Sequence, residues 1–246
     1  MVSRVTNDVC IHFPRTGQSL WSNETILKKA SPYLCSLLSS GFSEGEPTSR
    51  DDGTSADKAM IDPFEFEDSD EENDEMPLSE STSQASDSGV AKFKRIDVTQ
   101  ATYTTYANVL CWIGSGYISF APLKSTTRFP SNAASPKRPQ SPSSLPTPAS
   151  PKSVYRLAHL LELPDLIDLA LGNFKKQLTT QNVAYELYTD VASTYPQIRD
   201  LAMNYAVEHW KEVVKSEAYK EIKKRAETEG VDSWTGMLLM EKLAAR

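Results

Sequence analysis

The stretch ILKKASPYLCSLLSSGFSE, residues 26–44, decides how the chain is read. Ser31 has a side chain able to accept from the free N–H groups that open a helix. Pro32 fits a first turn, where a missing N–H costs nothing. Tyr33, Leu34, Leu37 and Leu38 then recur at helical spacing, and Gly41 is a natural stop. Directly before lies NETILKKA (23–30), a short helix with Asn23 as its cap. The spacing therefore predicts two short helices broken at Ser31-Pro32, a helical hairpin that ends on Phe42-Ser43-Glu44.

Upstream, DVCIHF (8–13) alternates Val9, Ile11 and Phe13 with Asp8, Cys10 and His12, the period of a strand with one buried face. A turn over Pro14 to Gly17 leads to SLW (19–21), a second strand. Downstream, FKRIDV (93–98) reads as a third strand. Thr99 is the expected cap of the helix QATYTTYANVLCWIGSG (100–116), with Tyr103, Tyr106, Val109, Leu110 and Ile113 on one stripe. Gly114 and Gly116 end it, and YISF (117–120) is a fourth short strand.

Beyond residue 150 only helical patterns occur. Ser150-Pro151 opens a helix holding Tyr155, Leu157, Ala158, Leu160 and Leu161. PDLIDLAL (164–171) returns 32 residues later as PQIRDLAM (196–203). A repeated helix, Pro turn and helix of this size is how stacked hairpins bury a shared core; two copies are too few for a solenoid and should dock on the strand-bearing half. KEVVKSEAYKEIKKRAETEG (211–230) reads as a charged, solvent-facing helix.

Two segments read as insertions without a core. Residues 45–92 are rich in Ser, Asp, Glu, Gly and Pro, and DPFEFEDSDEENDE (62–75) has acids with no Lys or Arg; such a run repels itself and buries too little apolar area to offset ordering entropy. Residues 124–149 are Pro/Ser-rich and read as an extended solvated linker. Ser69, followed by Asp70, Glu71 and Glu72, has the surroundings acid-directed kinases favour. Ser135-Pro136-Lys137-Arg138 has the form proline-directed kinases favour, with Ser141-Pro142 and Thr147-Pro148 weaker versions. A phosphate at Ser69 or Ser135 would change local charge by nearly two units.

A net charge of −7 and a pI near 5.1 argue against non-specific binding to nucleic acid or anionic membranes. No apolar run approaches the roughly 20 residues of a membrane span, and MVSRVTNDVC lacks the apolar core of a secretory signal. Cys10, Cys35 and Cys111, an odd count in apolar surroundings, suit reduced thiols of a cytosolic or nuclear protein. His12, His159 and His209 lack metal-ligand spacing. There is no Gly-rich phosphate loop, no G-x-S-x-G and no nucleophile with an evident base. The expectation is a chain that is not an enzyme, with no catalytic residues, no cofactor and no metal.

The order strand, strand, two short helices, strand, helix, strand, helical hairpins resembles the BTB/POZ family, in particular fungal BTB proteins with a BACK-like helical extension. The residues that carry the resemblance are NDVCIHF (7–13), the quoted hairpin, IDVTQATYTTYANVLCWIGSGYISF (96–120), SPKSVYRLAHLLELPDLIDLAL (150–171) and YPQIRDLAMNYAVEHW (195–210). The resemblance implies an α+β fold, a small β-sheet flanked by helical hairpins. It implies a BTB domain over 7–174, interrupted at 45–92 and 124–149, a helical extension over 175–225 and a tail over 226–246. It also implies a protein-interaction module. In BTB adaptors of cullin ubiquitin ligases the hairpin is followed by an apolar–any–Glu motif. Phe42-Ser43-Glu44 matches it, with Phe42 as apolar anchor, or as closure of the hairpin's own core, and Glu44 as polar contact. The alternative is a self-associating structural or transcription-associated module, a homodimer. Only MVSRVTN precedes the first strand, short for the helix many BTB dimers exchange.

Overall fold

The computed structural model describes residues 7–40, 70, 93–130 and 145–229, with 235, 236, 239, 242 and 243 beyond them. Among these the fold is α+β, with 11 helices and one three-stranded mixed sheet. Phe42, Glu44, Ser69 and Ser135 lie outside the described residues.

The chain divides into two compact units. The first comprises Met1–Ser119, Ser141–Ala149 and Arg156–Pro164; the second comprises Phe120–Gln140, Ser150–Tyr155 and Asp165–Arg246.

In the first unit, β1 (Val9–Phe13) and β2 (Gln18–Ser22) form an antiparallel hairpin, and β3 (Lys94–Asp97) pairs with β1 in parallel, giving the order β2-β1-β3. Gly17 holds a φ of 68° in the β1–β2 turn, where its N–H donates to the Phe13 carbonyl at 2.9 Å. The alternation expected of β1 is only partial: Val9, Ile11 and Phe13 are buried as expected, and Phe13 meets Tyr103 and Tyr106 edge-on at 5.6 Å, but the opposite face is not open throughout. Cys10 is also buried, in one cross-strand row with Trp21 and Arg95.

Helices α1 (Glu24–Ala30) and α2 (Pro32–Ser39) form the expected hairpin. Asn23 accepts from the N–H groups of Thr25 and Ile26, and Ser31 from that of Leu34. Leu27, Leu34 and Leu38 are buried and Leu37 is half-buried. Tyr33, expected on the same stripe, is exposed, because it sits one position off the Leu34–Leu38 line.

Helix α3 (Tyr103–Ser115) starts later than expected. Its cap is Thr102, whose Oγ1 accepts from the Thr105 N–H, and not Thr99. Gly116, with φ 73°, ends it. YISF is not a strand: the stretch has one bridge residue, Phe120, and the Ser119 carbonyl accepts a single bond, from the Ala149 N–H.

The expectation of a bare linker over 124–149 is corrected at both ends. Residues Lys124–Arg128 form helix α4, in the second unit. In the first unit, the Thr147 carbonyl accepts from Asn108 Nδ2 at 2.6 Å, so the chain leading to Ala149 is tied to α3. Composition missed these because a few side chains, and not an apolar run, hold the segment.

The next helix, α5 (Pro151–Leu160), contributes residues 151–155 to the second unit and 156–160 to the first. From Asp165 onward the second unit continues with α6 (Pro164–Gln177, whose first residue belongs to the first unit), α7 (Val183–Leu187), α8 (Asp190–Thr194), α9 (Pro196–Glu208), α10 (Trp210–Val213) and α11 (Glu217–Glu229). The internal echo is structural. Pro164 and Pro196 each open a helix, and Leu166, Ala170 and Phe174 are buried at the same register as Ile198, Ala202 and Ala206. The charged C-terminal run is two helices and not one. It buries Val213, Ala218 and Ile222, a sparse apolar line hidden among charges.

Candidate interaction surface

Two helices totalling four turns would be marginal alone, so the hairpin depends on what ties it down. Its turn residue, Ser31, is fully buried. The Ser31 hydroxyl accepts from Leu34 N–H at 3.1 Å and donates to the Leu161 carbonyl, just past α5, at 2.6 Å. At the other end, the Glu24 N–H donates to Asp8 Oδ1 at 2.7 Å, beside β1.

Lys94, the first residue of β3, closes the frame. Its ammonium donates to Glu24 Oε1 at 2.8 Å and to the Leu38 carbonyl at 2.6 Å. One cation thus neutralises the acid at the start of α1 and caps the free carbonyls at the end of α2, where a helix dipole favours positive charge. Lys28 reaches the same Glu24 oxygen at 2.6 Å. The hydrogen bond from Lys28, and then that from Lys94, hold the Glu24 carboxyl below its usual range, against a smaller opposing effect of burial.

The hairpin therefore delivers the chain from a fixed point. Ser40 closes α2, its N–H bonded to the Ser36 carbonyl at 2.9 Å and its hydroxyl to the Leu37 carbonyl at 3.0 Å. Phe42 and Glu44 follow within four residues of Ser40, outside the described residues, as do the kinase-site candidates Ser69 and Ser135 further on. Within the hairpin Ile26 and Tyr33 are exposed.

A second surface was not anticipated. Trp21 and Phe93 meet edge-on at 5.1 Å beside the β-sheet, and each stays about half exposed, 49% and 46%. The signal was present: Trp21 falls on the alternate phase of β2, and Phe93 lies two residues before Arg95, the register partner of Cys10. Arg95 and Asp97 pair at 2.8 Å on the same strand.

The remaining sequence candidates do not converge. His12 Nδ1 lies 3.0 Å from Ser19 Oγ, His209 stacks on Tyr205 at 4.3 Å, and His159 is on the exposed side of α5. Among the described residues no group of three or more His, Cys, Asp or Glu could hold a metal ion, and no helix is long and apolar enough to cross a membrane. All three cysteines are free thiols, Cys10 buried and Cys35 and Cys111 half-buried. No protein-family model matches the chain, and no curated protein matches it.

Proposed function

We propose that this chain is a BTB-type protein-interaction module of the cytoplasm or nucleus that acts as an adaptor, binding partners rather than catalysing a reaction. In this reading it recruits them to a cullin-type ubiquitin-ligase scaffold. The observation that carries the reading is the locked α1–α2 hairpin. Ser31 holds its turn and Lys94 its open ends, so that Phe42-Ser43-Glu44 follow a rigid platform within four residues of the Ser40 cap. Interfaces of this type rest on an apolar anchor with a polar contact at its rim, roles that fall to Phe42 and Glu44. The mixed sheet order β2-β1-β3 and the paired helices after residue 150 support the same reading, the latter as the extension that adds scaffold contact.

The test is capture of a fungal cullin by the purified chain, compared with Phe42→Ala/Glu44→Ala. The double variant should weaken capture by roughly 1–3 kcal/mol while melting like the parent. Equal capture by a folded double variant overturns the cullin assignment.

The exposed Trp21–Phe93 pair favours a second reading, a self-associating module without a ubiquitin role. Light scattering of the purified chain, with Trp21→Ser as control, separates the two: a dimer that Trp21→Ser dissociates supports self-association through the sheet.

A further inference from the structure

In the order β2-β1-β3, β3 lies at an edge of the sheet, and among the described residues β1 is its one strand partner. The N–H groups of Lys94 and Val98 donate to the carbonyls of Asp8 and His12, at 2.9 and 2.8 Å. Backbone groups of successive strand residues point to opposite sides, so Arg95 and Asp97 turn theirs away from β1, towards the open edge. The side chains of Arg95 and Asp97 are exposed too, whereas that of Ile96 between them is buried. An open edge of this kind is a template for another strand unless its charges repel what approaches.

A single sign of charge on β3 would repel a second copy, but β3 carries one of each on its exposed face. In an antiparallel pairing, residues that bond outward must face residues that bond outward. A second copy can then set Arg95 on Arg95, Asp97 on Asp97, or Arg95 on Asp97. The first two place like charges directly opposite, which destabilises. The third puts Ile96 on the two-fold axis and forms two Arg95–Asp97 pairs between the copies, the self-complementarity that a two-fold interface requires. We propose that a second copy of this chain pairs with β3 edge to edge, antiparallel about Ile96, and extends the sheet from three strands to six. The inference rests on the self-association reading and gives it a contact at the sheet edge in place of the Trp21–Phe93 face. Four residues a side make a smaller interface than a standard one, so the dimer is weak and forms with rising concentration.

The experiment is sedimentation of the full chain over rising concentration, beside Asp97→Arg, Arg95→Asp, their equimolar mixture and Trp21→Ser. Asp97→Arg leaves two cations on the edge and Arg95→Asp two carboxylates, so each alone should associate about tenfold or more weakly than the parent. Mixed, the two variants restore both pairs and should form a one-to-one dimer. Both positions are exposed, and thermal melts verify that each variant folds. If one does not, the other is read against the double exchange Arg95→Asp/Asp97→Arg, which should associate like the parent. Single variants that dimerise like the parent, or that stay apart when mixed, overturn the edge pairing. Self-association itself still stands if the parent dimerises and Trp21→Ser dissociates it, and a parent that stays monomeric overturns both.

Discussion

The Ser31 hydroxyl donates to the Leu161 carbonyl at 2.6 Å, joining two residues 130 positions apart. The same oxygen caps α2, so one buried group serves a local and a distant contact at once. Ser31→Ala removes both and leaves a buried carbonyl without this donor. We expect a loss of about 2 kcal/mol, read as a lower urea midpoint at unchanged slope.

The far side of that contact is itself unusual. Past α5, Glu162 holds a φ of 56°, with its N–H on the His159 carbonyl and the Leu163 N–H on the Ala158 carbonyl at 2.9 Å. This is the helix-ending turn that normally takes glycine. Glu162→Gly removes the left-handed strain but gains freedom in the unfolded chain, so stability should rise by about 1 kcal/mol or less. Glu162→Val, β-branched at a positive φ, should cost about 1–2 kcal/mol. Thermal melts of the pair give the two signs directly.

These contacts show what was legible beforehand and why. Asn23, Ser31, Pro32, Gly116, Pro164 and Pro196 act within three or four residues of themselves, so residue type alone reveals them. Thr102 displaced Thr99 as a cap because both can serve and only packing chooses. The reach of Lys94 to Glu24 and Leu38, the bond of Asp70 to Thr105 and the second bond of Ser31 join segments 35 to 130 residues apart, which no local pattern encodes. Phe42 and Glu44 were read from two fixed residues of a motif, and the structure supplies only the platform before them.

In the second unit, Lys152 Nζ donates to Glu186 Oε2 at 2.8 Å, and the Ser125 hydroxyl donates to Oε1. The Glu186 side chain is 1% exposed. Lys152→Ala strands a buried carboxylate and should cost about 3–5 kcal/mol, whereas Lys152→Met/Glu186→Leu removes both charges and should recover most of that loss. Chemical denaturation of the single and double variants tests the difference. A double variant as unstable as the single would mean that the loss is one of packing.

Two groups set opposite ends of the pH range. The Glu24 carboxyl is lowered from near 4.5 by Lys28 and then Lys94, so its contribution is present above that value and is lost as pH falls through the lower folded value. The pairs are partly solvated, so the loss is about 0.5 kcal/mol, and Lys94→Met should reduce it. Tyr106 is raised far above its usual 10 by burial and then by Tyr33. Its contribution is complete below pH 10 and is lost above it, at up to about 1.4 kcal/mol per pH unit. Tyr106→Phe should flatten the alkaline limb of a stability profile, leaving a weaker slope from Tyr155 and Tyr205, which burial also raises.

The last prediction separates chain that packs from chain that connects. Deleting 125–148 would remove Ser125 from Glu186, Thr126 from Asn182 and Thr147 from Asn108. Each loss strands a buried or half-buried polar partner at about 1–3 kcal/mol, so the domain should lose cooperative unfolding. Replacing only 131–144 with a short Gly/Ser bridge keeps those three contacts. Closure cost changes slowly with loop length, so stability should stay within about 1 kcal/mol of the parent. Parallel melts of the two deletions decide it: equal tolerance would mean that α4 adds nothing to the fold, and equal collapse that residues 131–144 hold contacts of their own.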